Sequence, residues 1–195
     1  MSATVDIPAV DISEFHRLTR DEYHQMIESG GFGEQTRVEL IDGILCDMSP
    51  QSPEHAEIVT YLTRVLAAAL DHSRFSLRPA LPLSLGDSEP EPDLAVVALG
   101  TPRPYHPASA ALVIEVALSS RQRDLAVKPR LYARADVTEY WAIDLEQNAV
   151  VVHRNPGAKG YGSRSEIGPD GVLDGAVVGI GELSVAEVLA AARVK

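Results

Sequence analysis

The sequence predicts a single domain of the α/β or α+β class, on three observations. Segments with apolar residues at helical spacing alternate with segments whose apolar residues recur at every second position, as in strands. Glycine and proline separate many of these segments. The chain has 195 residues, of which 45% are hydrophobic, enough for one domain to bury a core. Helices layered on a sheet are the arrangement that this mixture favours.

The first helix is predicted to begin after Thr19. Thr19 and Glu22 have the spacing of a capping box, in which a hydroxyl and a carboxylate satisfy free amides at a helix start. Glycines follow Ser29 and are expected to end this helix. We therefore divide the chain into an N-terminal extension, 1–18, and a single domain, 19–195.

A β-hairpin is predicted from Arg37 to Met48, because the pair Asp42 and Gly43 at its centre is a strong turn signal. Two Ser-Pro steps then lead into a helix. The apolar residues at helical spacing in this second helix are Ile58, Leu62, Val65, Leu66 and Ala69.

Strands are predicted over 76–85, 91–99 and 110–118, where the period changes to two. The last of these is apolar on both faces, which is typical of a central strand. The elements predicted after it are a helix over 124–135, a strand pair over 139–145 and 149–155, Gly-rich short strands, and a final helix opened by a second capping box of Ser184 and Glu187.

The charge balance argues against general attraction to nucleic acid. There are 17 Lys and Arg against 28 Asp and Glu, a formal net charge of -11, so any contact with phosphate must be local. The single cysteine, Cys46, fits a reducing compartment. The start of the chain lacks a basic and apolar leader, and no run reaches the length of a membrane span. We therefore predict a cytoplasmic protein without membrane contact.

Glu115 is the anomaly of the sequence, because it interrupts an apolar run in which a lone carboxylate would be costly to desolvate. If residues 100–109 connect an antiparallel strand pair, Asp93 falls opposite or nearly opposite Glu115. Two opposed carboxylates repel each other unless a proton or a cation lies between them. Oxygen ligands of this kind suit Mg²⁺ or Mn²⁺. The alternative is a structural ion pair of Glu115 with Lys128 or Arg123.

A local basic stretch follows the predicted central strand. Residues 121–134 contain five basic side chains against one acid, Asp124, in a chain that is acidic overall. A turn from strand to helix could return the Lys128 ammonium to the acid pair, where it would orient water or stabilise phosphate charge. The arginines Arg121, Arg123 and Arg130 are candidate phosphate contacts.

These residues resemble the PD-(D/E)XK nuclease superfamily, and more closely its Uma-type restriction endonuclease family, over roughly Leu18 to Leu189. The resemblance implies an α/β fold with a restriction-endonuclease-like mixed central sheet flanked by helices. The motifs that carry it are Val38–Gly43, Ser52–His55, Glu91–Asp93, Ile114–Val116, Asp124 with Lys128 and Tyr132, and Glu139–Trp141.

The resemblance implies a Mg²⁺-dependent endonuclease that hydrolyses phosphodiester bonds, with DNA as the expected partner and a homodimer as one state common in such folds. Asp93, Glu115 and the Val116 carbonyl would hold the metal, and Lys128 would assist. One departure stands out, because Ala117 occupies the position where the superfamily motif has its lysine. Lys128 matches the place to which the Uma-type lysine has moved.

Two further residues match family positions and have ordinary alternatives. Glu39 would help to hold metal or orient water, or would lie on a solvated face or in a salt bridge. His55 lies at a helix start, where a neutral imidazole could accept a proton, or where it could serve as a hydrogen-bonded cap. Tyr132, Tyr140 and Trp141 are expected in the core.

Two other functions remain open. A nuclease fold that has lost turnover would serve in nucleic-acid or protein association, and the acidic net charge and Ala117 favour it. A metal-dependent hydrolase of small phosphoesters would need no extended basic surface. His153, His106 and Cys46 show no metal-ligand spacing among themselves, so the sequence predicts no zinc site.

Overall fold

The computed structural model of the protein describes residues 15–33 and 36–193. Four α-helices and ten strands are found in this part of the chain. In chain order they are α1 (Arg20–Glu28), β1 (Val38–Ile41), β2 (Ile44–Asp47), α2 (Pro53–Ala69), β3 (Phe75–Pro79), β4 (Leu94–Ala98), β5 (Leu112–Ala117), α3 (Lys128–Arg134), β6 (Glu139–Asp144), β7 (Ala149–Arg154), β8 (Ser163–Ile167), β9 (Val172–Asp174), β10 (Glu182–Ser184) and α4 (Val185–Ala190).

The core of the fold is a six-stranded mixed sheet in the order β3-β4-β5-β6-β7-β8. Neighbouring strands are antiparallel except β5 and β6, which are parallel and are joined by the crossover that contains α3. All six residues of β5 are buried, as expected of a central strand that is covered on both faces. The predicted α/β class with a mixed central sheet is confirmed.

Each face of the sheet carries its own apolar core. The first core includes residues of α2 and α4, such as Leu62 and Val188, packed on Ile114 and Val116 of β5. The second includes Tyr132 of α3 and Ile41 of the β1-β2 hairpin. Because side chains alternate along a strand, Glu115 points to the second face, toward α3.

The β1-β2 hairpin forms as predicted. Asp42 and Gly43 both have positive φ, 47° and 76°, which a tight two-residue hairpin turn requires. Steric crowding also excludes a larger residue at position 43, since a Cβ there would lie 2.7 Å from the Cβ of Arg17. Glycine is therefore needed here for its conformation and for its size.

Both predicted capping motifs are present, the second only in part. Thr19 and Glu22 form the complete reciprocal box at α1. Ser184 accepts a hydrogen bond from the Glu187 amide at the start of α4. The Glu187 carboxylate instead accepts from the Tyr61 hydroxyl, 3.2 Å away, because tertiary contact with α2 offers it another donor.

Two predicted elements have different bounds. The strand predicted over 76–85 ends at Pro79, because Ala80 has a positive φ of 45° and cannot continue an extended chain. The helix predicted over 124–135 is divided into a π-helical turn over Arg123–Val127 and α3. A proline disfavours helical geometry at the residue before it, yet Lys128, which precedes Pro129, has the helical values φ -59° and ψ -33°.

Residues 1–14 of the predicted N-terminal extension lie outside the described residues, so the division at residue 18 stays a prediction. No helix among residues 15–33 and 36–193 has the length and apolar character needed to cross a bilayer.

Candidate active site

Asp93 and Glu115 meet at the boundary between β4 and β5, as the sequence predicts. Leu94 pairs with Ile114 in the antiparallel register, so the preceding Asp93 comes opposite Glu115. The Asp93 amide donates to Glu115 Oε2 over 3.2 Å, and the Val116 amide donates to Asp93 Oδ2 over 2.7 Å. The sheet backbone therefore holds the two carboxylates side by side.

Glu115 is 3% exposed, and its second oxygen has two strong donors. Oε1 accepts from Lys128 Nζ and from the Tyr132 hydroxyl, each over 2.7 Å. Tyr132 was expected only as a core aromatic, so its contact with Glu115 was missed. The sequence signal was available, because Lys128 and Tyr132 have the i, i+4 spacing of neighbours on one helix face.

Lys128 lies among three carboxylates. Besides Glu115, its Nζ lies 3.4 Å from Glu39 Oε2 and 3.4 Å from Asp124 Oδ1. The side chain is only 5% exposed. We use the term acid cluster for these four residues together with Asp93. The Lys128 ammonium lies beside Glu115, as predicted. The same contact is the Glu115–Lys128 ion pair that the alternative interpretation predicted.

Burial and mutual repulsion shift the proton affinities within the acid cluster. Burial raises the pKa of Glu115 well above its ordinary value, against the attraction of Lys128 and with help from Asp124 and Asp93. The pKa of Asp124 is raised, chiefly by burial. Burial lowers the pKa of Lys128, but Glu115, Glu39 and Asp124 outweigh it and raise the net value. The lysine therefore stays charged, and the acids compete for a proton or a further cation.

His55 contacts the acid cluster through Asp93. Its Nε2 lies 3.0 Å from Asp93 Oδ2, and its backbone amide donates to the Ser52 hydroxyl that caps α2. With Nε2 donating, Nδ1 is left as an acceptor, but Nδ1 is buried and has no hydrogen-bond partner among the described residues. This arrangement favours an imidazole that orients Asp93.

Glu39 is linked to a second cation, Arg123. Glu39 Oε1 lies 3.1 Å from the Arg123 guanidinium, which also donates to the Asp47 carbonyl over 2.9 Å. The Glu91 amide donates to Glu39 Oε2 over 3.3 Å. Glu39 thus lies in a salt bridge, as one alternative predicted, and also within reach of Lys128.

The three candidate phosphate-binding arginines lie in different surroundings. Arg123 lines the same cleft as the acid cluster. Arg121 makes a bidentate pair with Asp144, at 2.7 and 2.8 Å, and neither it nor the exposed Arg130 lines that cleft. The structure therefore brings one of the three to the acids.

The cleft above the acid cluster is small and polar. Glu39, Asp93, Glu115 and Lys128 all line it, and its solvent-accessible volume is about 60 Å³. Such a volume admits several water molecules, since one needs about 10–15 Å³ by this measure. Residues 48–52 and 118–120 also line it.

The donor set suits a hard divalent cation. Each carboxylate oxygen can accept about two hydrogen bonds; Glu115 Oε1 already has two, whereas Glu115 Oε2 has one and Asp93 Oδ1 has none from the described residues. Four acids, Asp124 included, face two cations, Lys128 and Arg123, so the acids outnumber the cations of the protein around them. Mg²⁺ typically uses one or two carboxylates and keeps several waters, which fits this cleft.

A mixed sheet with paired acids at the end of its central strands defines the class of protein: a restriction-endonuclease-like α/β fold. Residues 20–185 match the model of the Uma2 family, described as "Putative restriction endonuclease". The chain belongs to this family, which confirms the resemblance carried by its motifs.

A solved structure has a similar fold. It is a crystal structure described as "a putative nuclease belonging to DUF820" from Anabaena variabilis ATCC 29413, with a TM-score of 0.73 and 19% sequence identity. The similarity covers 90% of this chain and 99% of that chain. No curated protein matches the chain.

Proposed function

We propose that this protein is a metal-dependent endonuclease that hydrolyses phosphodiester bonds, with DNA as substrate. The observation that carries the proposal is the Asp93–Glu115 pair. It lines a cleft in which acids outnumber cations and carboxylate oxygens still have free lone pairs. Membership of a family described as "Putative restriction endonuclease" supports it.

Asp93 Oδ1 and Glu115 Oε2 are the atoms proposed to hold Mg²⁺ or Mn²⁺, with the Val116 carbonyl as a third ligand. When bound, such an ion supplies a more acidic water and polarises the phosphoryl oxygens. The chain itself fixes the two carboxylates through backbone amides. The Val116 amide and the His55 ring hold Asp93 Oδ2, and Oδ1 is left without a hydrogen bond from the described residues.

We propose two roles for Lys128. Its hydrogen bond to Glu115 Oε1, together with that of Tyr132, leaves Oε2 for the ion. Its ammonium also borders the cleft, where a positive charge would stabilise phosphate charge that grows during the reaction. Glu39 holds Lys128 and Arg123 on the cleft wall. Arg123 is the proposed phosphate contact within the cleft, and Arg121 and Arg130 are proposed contacts outside it.

The test compares the parent protein with Asp93→Asn and Glu115→Gln on supercoiled DNA, single-stranded DNA and RNA. We expect cleavage of DNA that requires Mg²⁺ or Mn²⁺ and is lost in both variants, because each removes a charged ligand without removing volume. Glu166→Gln is the matched control, since Glu166 is exposed and pairs with Arg164 on β8, so it should cleave like the parent. Cleavage that persists in Asp93→Asn and Glu115→Gln would contradict the proposal.

A second candidate is a nuclease fold that binds nucleic acid or protein without turnover. It is favoured by Ala117 in the usual lysine position and by the engagement of Lys128 with three carboxylates. This function is indicated if the parent binds Mn²⁺ but cleaves none of the three nucleic acids. Hydrolysis of a simple phosphodiester, bis(p-nitrophenyl) phosphate, would then indicate a hydrolase of small phosphoesters, and absence of hydrolysis would indicate the binding protein.

A further inference from the structure

A second cluster of metal-ligand side chains lies apart from the acid cluster. His24 of α1, Glu89 before β4 and His106 between β4 and β5 each place one ligand atom so that the three atoms lie within 4.8 Å of one another. In the part of the chain that the structure describes, this is the one group of three His, Cys, Asp or Glu side chains with that property. We propose that these residues form a binding site for a transition-metal ion of the Zn²⁺ class.

The distances are close to those of a metal centre. His24 Nε2 lies 2.9 Å from Glu89 Oε2, and His106 Nε2 lies 3.7 Å from Glu89 Oε1. Ligands about 2.0–2.2 Å from a tetrahedral zinc ion lie about 3.4 Å from one another. Small side-chain rotations would therefore place the two imidazoles and the carboxylate around one ion.

The buried Glu89 carboxylate favours a bound cation. The Glu89 side chain is 3% exposed, and its ion-pair partners among the described residues are the two imidazoles. A buried carboxylate without a full counter-charge is unfavourable, and a bound divalent ion supplies that charge.

Neighbouring groups orient the ligands. The Ser84 hydroxyl donates to Glu89 Oε2 over 3.2 Å and accepts from the His106 amide over 3.0 Å. The His24 ring stacks on Tyr105, with the ring centroids 3.8 Å apart. Partners that fix ligating side chains in this way are a regular part of metal sites.

The ligand types separate this site from the acid cluster. Two imidazole nitrogens and one carboxylate suit zinc and similar transition metals, whereas an all-oxygen set suits Mg²⁺ or Mn²⁺. The site would join α1, the segment that leads to Asp93 and the β4-β5 connection, which are distant in sequence. Its role would be to clamp these segments, and the proposal does not depend on nuclease activity.

The test is titration of Zn²⁺, and of Co²⁺ as a coloured substitute, into chelator-treated protein. We expect one tightly bound ion per chain, Co²⁺ absorption typical of nitrogen ligands, and a rise in Tm on metal addition. His24→Asn and His106→Asn should each weaken Zn²⁺ binding by about 100-fold or more, since even the loss of an outer partner costs about 10–100-fold. His106→Asn changes a side chain that is one-third exposed, so the fold should be retained, and circular dichroism checks this.

Two controls locate the ion. His72→Asn removes an exposed histidine whose side-chain hydrogen bond among the described residues is to the Ala67 carbonyl, and this variant should bind Zn²⁺ like the parent. The Asp93→Asn, Glu115→Gln double variant should also keep its Zn²⁺. Absence of Zn²⁺ binding by the parent, or binding that both histidine variants retain, would overturn the proposal. Binding that only the acid-cluster variant loses would assign the ion to the acid cluster and would overturn it equally.

Discussion

Two buried glutamates on adjacent parallel strands have contrasting surroundings. Glu139 of β6 accepts from the Trp141 indole over 2.6 Å and from two nitrogens of Arg154 at 2.9 and 3.0 Å. Glu115 of β5 shares its one lysine with two other acids. Both are about equally buried, so burial alone does not separate a structural carboxylate from a site carboxylate.

The two glutamates differ in how many cations neutralise them and in how many of their oxygen lone pairs remain free. Glu139 has an arginine of its own, and the same contact raises the pKa of Arg154. Glu115 stands among acids that raise its pKa further, beside a cleft that solvent enters. Several acids around one shared lysine, with oxygen lone pairs that accept no hydrogen bond from the described residues, form the environment in which we propose a cation site.

The largest expected effect is that of Lys128→Met on the free energy of unfolding. Removal of this ammonium leaves three buried carboxylates without it, and loss of one partner of a buried ion pair costs about 3–5 kcal/mol. Urea unfolding without metal measures the loss. Arg134→Met is the control, because Arg134 pairs with Asp42 at the surface and should change little. If Lys128→Met is as stable as the control, the charge balance described for the acid cluster is wrong.

Glu139→Ala should have the next largest effect, again on stability. It leaves the fully buried Trp141 indole without an acceptor, at a cost of about 1–3 kcal/mol, while Arg154 can turn to water. Metal binding should be unchanged, whereas Glu115→Gln should lose it. Urea unfolding and Mn²⁺ titration of both variants test whether Glu139 serves stability and Glu115 serves metal binding. Equal loss of metal binding in the two variants would contradict this difference.

The smallest effect concerns pH. Because the pKa of Glu115 is raised in the folded state, the native protein holds a proton that the unfolded chain releases above about pH 4.5. The free energy of unfolding should therefore fall as pH rises above that value, by at most about 1.4 kcal/mol per pH unit for one proton. Glu115→Gln should flatten this dependence. Identical pH profiles for parent and variant, measured by urea unfolding, would contradict the raised pKa.

Much of the site could be read from local patterns. The apolar run around Glu115, the connection that follows β4 and the motif around Asp93 predicted two opposed acids, and the register confirms them. The position of Lys128 after the central strand, where a turn into the helix could return its ammonium to the acids, predicted a cation nearby. Its contacts with three carboxylates could not be predicted from that position. The strand predicted beyond Pro79 was wrong, because period two describes any extended segment, whether or not it pairs.

The sequence by itself determined the alternation of elements, the hairpin at Asp42 and Gly43, and the acids of the central strands, since all of these depend on neighbours in the chain or on a short register. Only the tertiary structure decided which groups share a cation. It brought Glu39 to Lys128, and His24 to Glu89 over 65 positions. Such contacts leave no spacing in the sequence, because they arise from the packing of elements that are separate in the chain.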